Sequence, residues 1–179
     1  FGRFSPAGRL PVSMYHANYT GMVSERVMDM RAFPGRTHRF LQVPVLFPFG
    51  FGLSYTAFEY VGALRFSPST RRVSVAVRNT GKMVSDHCVI VYSTRSTRAE
   101  PATSGHDFGV VPQRSVAAFT RLRDIGPGMT RHVSLTVDAG AFALVDTDGR
   151  RVNEVSGSWR LFVVGDDGTS TVASTHVLF

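Results

Sequence analysis

Thirteen acidic residues, six histidines and one cysteine are the groups through which this chain could do chemistry. A two-carboxylate mechanism needs a pair of acids facing each other about 5 to 10 Å apart. The acids here do not suggest such a pair. Asp146, Asp148, Asp166 and Asp167 lie in Asp-Gly stretches that read as hairpin turns, where Asp serves by hydrogen-bonding the backbone. Glu59, Glu100 and Glu154 stand alone and read as solvated. For acyl transfer, Gly52-Leu53-Ser54-Tyr55-Thr56 approaches a nucleophile elbow but ends in Thr where the second Gly is required, and no strand-turn-helix surrounds it. His87 and Cys88 are adjacent on a strand and so point to opposite faces, unable to share one metal. His16, His38, His106, His132 and His176 show no metal-ligand spacing. Asn18-Tyr19-Thr20 is a glycosylation sequon, relevant only if the chain is secreted. The reading assigns no catalytic residue, no cofactor-binding residue, no metal ligand and no cofactor.

The elements that would carry these residues divide at about position 54. From there on, short period-two segments alternate with turn signals, the pattern of an all-β sandwich. Phe58 to Phe66 is one strand; Val73, Val75 and Val77 mark a second, ended by Asn79-Thr80-Gly81. Cys88 to Tyr92 is continuously apolar, as in a central strand buried on both faces. A polar loop, 93 to 109, separates it from a strand at 116–125. Gly126-Pro127-Gly128 then turns the chain into Val133, Leu135 and Val137. Asp138 reads as the cap of a single helical turn, and Asp146-Thr147-Asp148-Gly149 as a hairpin turn. Trp159, Leu161 and Val163 define the inward face of another strand, and a Gly165–Gly168 turn leads into 171–179. About seven strands result, which fits an immunoglobulin or fibronectin type III sandwich.

Residues 1 to 53 read differently. They hold five of the nine prolines (Pro6, Pro11, Pro34, Pro44, Pro48) and the cluster Phe47, Phe49, Phe51, which suits extended segments laid over another surface. Leu10 to Tyr15 suggests a short strand, and Tyr19 to Met30 a loop or weak helix. The stretch lacks a core of its own. Residues 47 to 55 are expected to pack on the sandwich and 21 to 39 to be mobile.

Composition narrows the rest. With 43% hydrophobic and 18% charged residues the chain can bury a core, and no apolar run approaches the ~20 residues of a membrane-spanning helix, so no membrane partner is expected. Cys88 is the single cysteine, so no intrachain disulfide can form. The net charge of +7 raises nucleic acid as a partner. Its arginines are scattered, however, with doublets only at Arg71-Arg72 and Arg150-Arg151, and no basic helix or aromatic-basic signature appears, so no nucleic acid is expected. The opening FGRFSPAGRLP has neither an initiator Met nor a charged-then-apolar leader, and reads as part of something longer.

One segment is more specific than any of these. Val45-Leu46-Phe47-Pro48-Phe49-Gly50-Phe51-Gly52-Leu53-Ser54-Tyr55-Thr56 resembles the linker of glycoside hydrolase family 3, in which a PFGYGLSYT-like motif joins an α/β sandwich domain to a fibronectin type III-like domain. Upstream, Ser5-Pro6-Ala7-Gly8-Arg9-Leu10-Pro11-Val12-Ser13 is similar to the family's SPAGRLPVT stretch. Asp29-Met30-Arg31 with Phe33-Pro34-Gly35-Arg36-Thr37-His38-Arg39-Phe40 resembles the DMR and YPGRTYRF motifs of its β-xylosidase-like branch. Downstream, Val77-Arg78-Asn79-Thr80-Gly81, Phe119 with Gly126-Pro127-Gly128, and Gly157-Ser158-Trp159 follow the fibronectin-like module in order. Met14, Phe51 and His38 depart from the Trp, Tyr and Tyr common at those places.

The resemblance implies a mainly β fold: a fibronectin type III-like (immunoglobulin-like) sandwich at 54–179, preceded at 1–53 by an extended remnant of an α/β sandwich domain plus linker. It implies the C-terminal, non-catalytic module of an enzyme that hydrolyses terminal β-xylosyl or β-glucosyl residues with retention. The implied partners are upstream barrel and α/β domains, which hold both catalytic carboxylates, and a carbohydrate substrate through the parent enzyme. A secreted or lysosome/vacuole-like location follows by resemblance alone. The rival reading is a free-standing sandwich that binds polysaccharide or protein.

Overall fold

The computed structural model describes residues 2–95 and 106–178. Glu100 and most of the 93–109 loop fall outside those residues. Among the described residues there are seven strands of seven residues or more: β1 (Phe58–Ser67), β2 (Arg72–Asn79), β3 (Ser85–Arg95), β4 (Ser115–Ile125), β5 (Thr130–Thr136), β8 (Ser158–Val164) and β9 (Thr171–Leu178). A two-residue pair, β6 (Leu144–Val145) and β7 (Arg151–Val152), flanks the Asp146–Gly149 turn, where Gly149 takes φ +83°. One antiparallel sheet runs β1-β2-β5 and the other β4-β3-β8-β9.

Alternation explains the packing. Val73, Val75 and Val77 of β2 turn inward and meet Val89 and Val91 of β3 and Trp159, Leu161 and Val163 of β8. Trp159 is 2% exposed, stands edge-on to Phe142 at 5.5 Å, and donates its indole N–H to the Val155 carbonyl at 2.8 Å. The Asp138 cap is present: its carboxylate accepts the Gly140 N–H at 2.6 Å and opens the 3₁₀ turn Ala139–Phe142. β3 is buried on both faces over only part of the Cys88–Tyr92 run expected to be so, Cys88 and Ile90 being half-buried. Burial alternates from Ser85 to Ile90, then Val91, Tyr92 and Ser93 are buried in succession. The second covering layer comes from outside the sandwich: Tyr92, Phe162 and Val164 face outward and are covered by Phe49.

Phe49 belongs to the leading part, residues 2–57, which contains no strand. The strand expected at Leu10–Tyr15 is replaced by one bridge, Met14 with Phe47. Pro11 has no N–H, and Pro44 and Pro48 lie on the facing segment, so a continuous ladder is impossible. Separate bonds join the two segments instead: Leu10 N–H to Phe51 O (2.9 Å), Gly50 N–H to Leu10 O (2.9 Å) and Met14 N–H to Phe47 O (2.7 Å). Between them the chain forms a 3₁₀ turn at Ala17–Gly21 and a single α-helical turn at Thr37–Phe40, the latter unforeseen. Phe40 is buried, whereas Phe33 is left largely exposed.

Candidate functional site

The residues that sequence reasoning tested for catalysis are spread over the molecule. Asp146 is buried, but its carboxylate accepts the Arg150 N–H at 2.7 Å and meets His106 Nδ1 at 2.9 Å, a turn held shut. The Asp167 carboxylate accepts the N–H groups of Thr169 and Ser170, and Glu154 pairs with Arg71. Glu59 is exposed, as are His16, His132 and His176. Ser54 Oγ lies 3.0 Å from Ser5 Oγ and accepts the Thr56 N–H at 3.3 Å, tying two loops together. Among the described residues no group of three His, Cys, Asp or Glu could hold a metal ion.

One cluster does bring distant residues to a point: the junction where the leading part docks on the sandwich. Arg9 enters it from the SPAGRLP stretch, His87 from β3, Tyr60 from β1 and Asp166 from the turn before β9. Arg9 pairs with the Asp166 carboxylate and places Nη2 3.3 Å from His87 Nδ1. A guanidinium can only donate, so Nδ1 is the acceptor and the neutral ring carries its proton on Nε2, 3.1 Å from the Tyr60 hydroxyl. Phe58 packs on the ring at 4.3 Å. Burial, reinforced by Arg9 and opposed by Asp166, holds the His87 pKa down at about 4. Burial also raises the Tyr60 phenol.

The linker glycines fit this junction. Gly52 donates its N–H to Asp166 O at 3.1 Å, and a Cβ there would sit 2.5 Å from Gly8 O and 2.8 Å from Arg9 Cδ. At Gly50 φ is +86°, and a Cβ would lie 2.6 Å from the Tyr92 hydroxyl. Beyond Gly50 the aromatics continue: His38 stacks on Phe49 at 4.1 Å, Tyr92 on Phe162 at 5.5 Å, and Arg114 lies over Tyr92 at 5.3 Å. Burial first, then Arg114 and Arg39, depress the His38 pKa to about 4. Further along, a cavity of about 320 Å³ separates Met30 and Arg31 from Phe108 and Leu144. Arg31 and Arg39 flank the Phe40 ring there, at 5.9 and 5.5 Å from its centre. Sequence reasoning missed the Arg9 cluster because its members are 78 and 157 positions apart, beyond any spacing rule.

A sandwich of two antiparallel sheets, strapped by a proline-rich segment through a glycine-aromatic linker, is the class of protein these features define. No protein-family profile matches the sequence. Individual relatives do. A probable exo-1,4-β-xylosidase of Aspergillus clavatus is 32% identical over 98% of this chain and 25% of its own length. β-D-xylosidase 1 of Arabidopsis thaliana is 33% identical over 84% of the chain and 23% of its own length. Among solved structures, a family 3 exo-β-xylosidase bound to a xylobiose aziridine probe superposes with a TM-score of 0.75 at 24% identity, covering 99% of this chain and 26% of that one. β-Glucosidase 3B of Thermotoga neapolitana also reaches 0.75, at 23% identity, over 99% of this chain and 25% of that one. The chain belongs to glycoside hydrolase family 3, matching its C-terminal part with the fibronectin type III-like domain, and is a module of a glycoside hydrolase. It spans about a quarter of the length of the curated relatives it matches.

Proposed function

We propose that this chain is a non-catalytic packing module: its sandwich, 54–179, anchors a strap, 1–53, that ends the α/β domain of a β-xylosidase. The observation that carries the reading is the two-sidedness of the strap. Its inner face is spent on the sandwich through Arg9, the Arg39 carbonyl and Phe49. Its outer face leaves Phe4, Met28 and Phe33 at 88, 83 and 74% exposed, with Leu53 and Tyr55 of the linker at 69 and 64%. Burying such side chains is worth about 1.5 to 3 kcal/mol each, so a surface of this kind suits the remainder of the enzyme. Both carboxylates of the retaining mechanism would belong to that remainder, and no residue of this chain would touch the sugar. The two relatives named above, at 32 and 33% identity, favour a β-xyloside over a β-glucoside substrate for the parent.

The test is a graft. This chain replaces the matching quarter of a family β-xylosidase, and aryl β-xyloside hydrolysis and Tm are measured with and without Met28→Asp and Phe33→Asp. The graft should be active and the double variant should lower both readouts, while leaving the isolated chain's unfolding unchanged. An unaffected grafted double variant would remove the outer face from the interface.

A further inference from the structure

The Arg9 cluster has a property that simple docking does not require. Its ion pair alone would hold the strap, yet the guanidinium is also aimed at an imidazole that is 2% exposed and can accept from it only while neutral. We propose that His87 is the trigger of an acid-opened latch: a proton on Nδ1 expels Arg9 and releases the first part of the strap, residues 2–14, while both sheets stay folded.

Proton accounting identifies the side that moves. Protonated, His87 donates from both nitrogens, so Nδ1 loses its bond to Arg9 and two cations stand in contact. His87 is the fixed side: it lies on β3 opposite Leu122 of β4, and the same strand is held by β8 from Val91 onward. Arg9 can. It sits on an extended segment whose other attachments are to the linker and not to the sheets: Ser5 to Ser54 and the Tyr55 N–H, Leu10 to Phe51 and Gly50, Ser13 to the Phe49 N–H, and Met14 to Leu46 and Phe47. The charged and titratable groups facing the ring are Arg9 and Asp166, with Tyr60 accepting from Nε2 and Tyr92 and Cys88 near Tyr60. The Asp166 carboxylate favours the protonated ring but is already paired with Arg9, while its backbone carbonyl separately accepts the Gly52 N–H. Tyr60, its phenol raised by burial, keeps its proton throughout.

The direction follows from linkage. In the closed state His87 titrates at about 4, and in an open, solvated state near its ordinary value of ~6.5. The latch is therefore fully favoured above about pH 6.5 and loses that advantage as pH falls toward 4. Every contact lies within this chain, so the inference does not depend on the proposed role in a larger enzyme.

Hydrogen exchange on the full chain reads the latch directly. Protection of the Leu10, Met14 and Gly50 amides, corrected for intrinsic rates, should fall at least about tenfold from pH 7 to 4, while Val77 and Val89 in the sheets hold theirs. In His87→Gln, whose side-chain oxygen still accepts from Arg9, protection should stay level. If the variant does not fold, the wild-type His87 ring is followed by NMR across the same range, and its protonation should coincide with the loss of protection. Loss at the same pH in the folded variant, loss with His87 still neutral, or sheet amides opening in step with the strap would each overturn the proposal.

Discussion

Trp159 shows how much a single residue fixes. Period-two alternation places it inward, and the structure adds what alternation cannot: an edge-on Phe142 and a buried carbonyl, Val155 O, with the indole as donor. Trp159→Ala should therefore cost ~3 to 5 kcal/mol in chemical denaturation, combining the lost ring with an unmet carbonyl. A cost below ~1 kcal/mol would contradict its place in the core. Gly50 is the opposite case. Its positive φ is the sort of demand a Pro-Phe-Gly turn announces, but the Tyr92 hydroxyl that excludes a Cβ comes from a distant strand and could not be read in advance. Arg9, His87 and Asp166 were illegible for the same reason.

At the scale of elements, legibility followed locality. β2 and β5 declare themselves because each valine's partner is set by alternation and the turns are marked by glycine. Leu10 to Tyr15 reads as a strand and Val45 to Thr56 as a linker, and nothing local shows that the two bond to each other. The stretch between them is also divided more finely than its composition implies. Within residues 22–33 the backbone donors that find partners bond only to near neighbours, as Val27 N–H does to Ser24 O and Arg31 N–H to Asp29 Oδ1. From Pro34 on, bonds reach further: Gln42 N–H to Pro34 O at 2.8 Å, Gln113 N–H to Arg39 O at 2.7 Å, and the Tyr19 hydroxyl to Gly35 O at 2.7 Å. Amide exchange at neutral pH should thus protect Gln42 and Gln113 well above the amides of 22–33. Uniform protection across 22–42 would show that the whole stretch is one folding unit and remove this division.

For the molecule as a whole, the basic charge takes on a different meaning once the fold is known. Arg31, Arg36, Arg72, Arg95 and Arg114 each donate to a backbone carbonyl, so these five arginines pin loops and strand ends. That use matches a chain with a prominent strap and no disulfide to hold it. The acids are likewise committed, Asp146 and Asp167 to turns, Asp166 to Arg9 and Glu154 to Arg71. The central claim is that this chain shapes an enzyme without performing its chemistry, and hydrolysis of aryl β-xyloside and β-glucoside by the purified chain tests it most directly. The account predicts no turnover above the buffer rate; turnover at an ordinary enzyme rate of about 1 to 10³ per second, abolished by Asp146→Asn or Asp166→Asn in a variant that still folds, would contradict it.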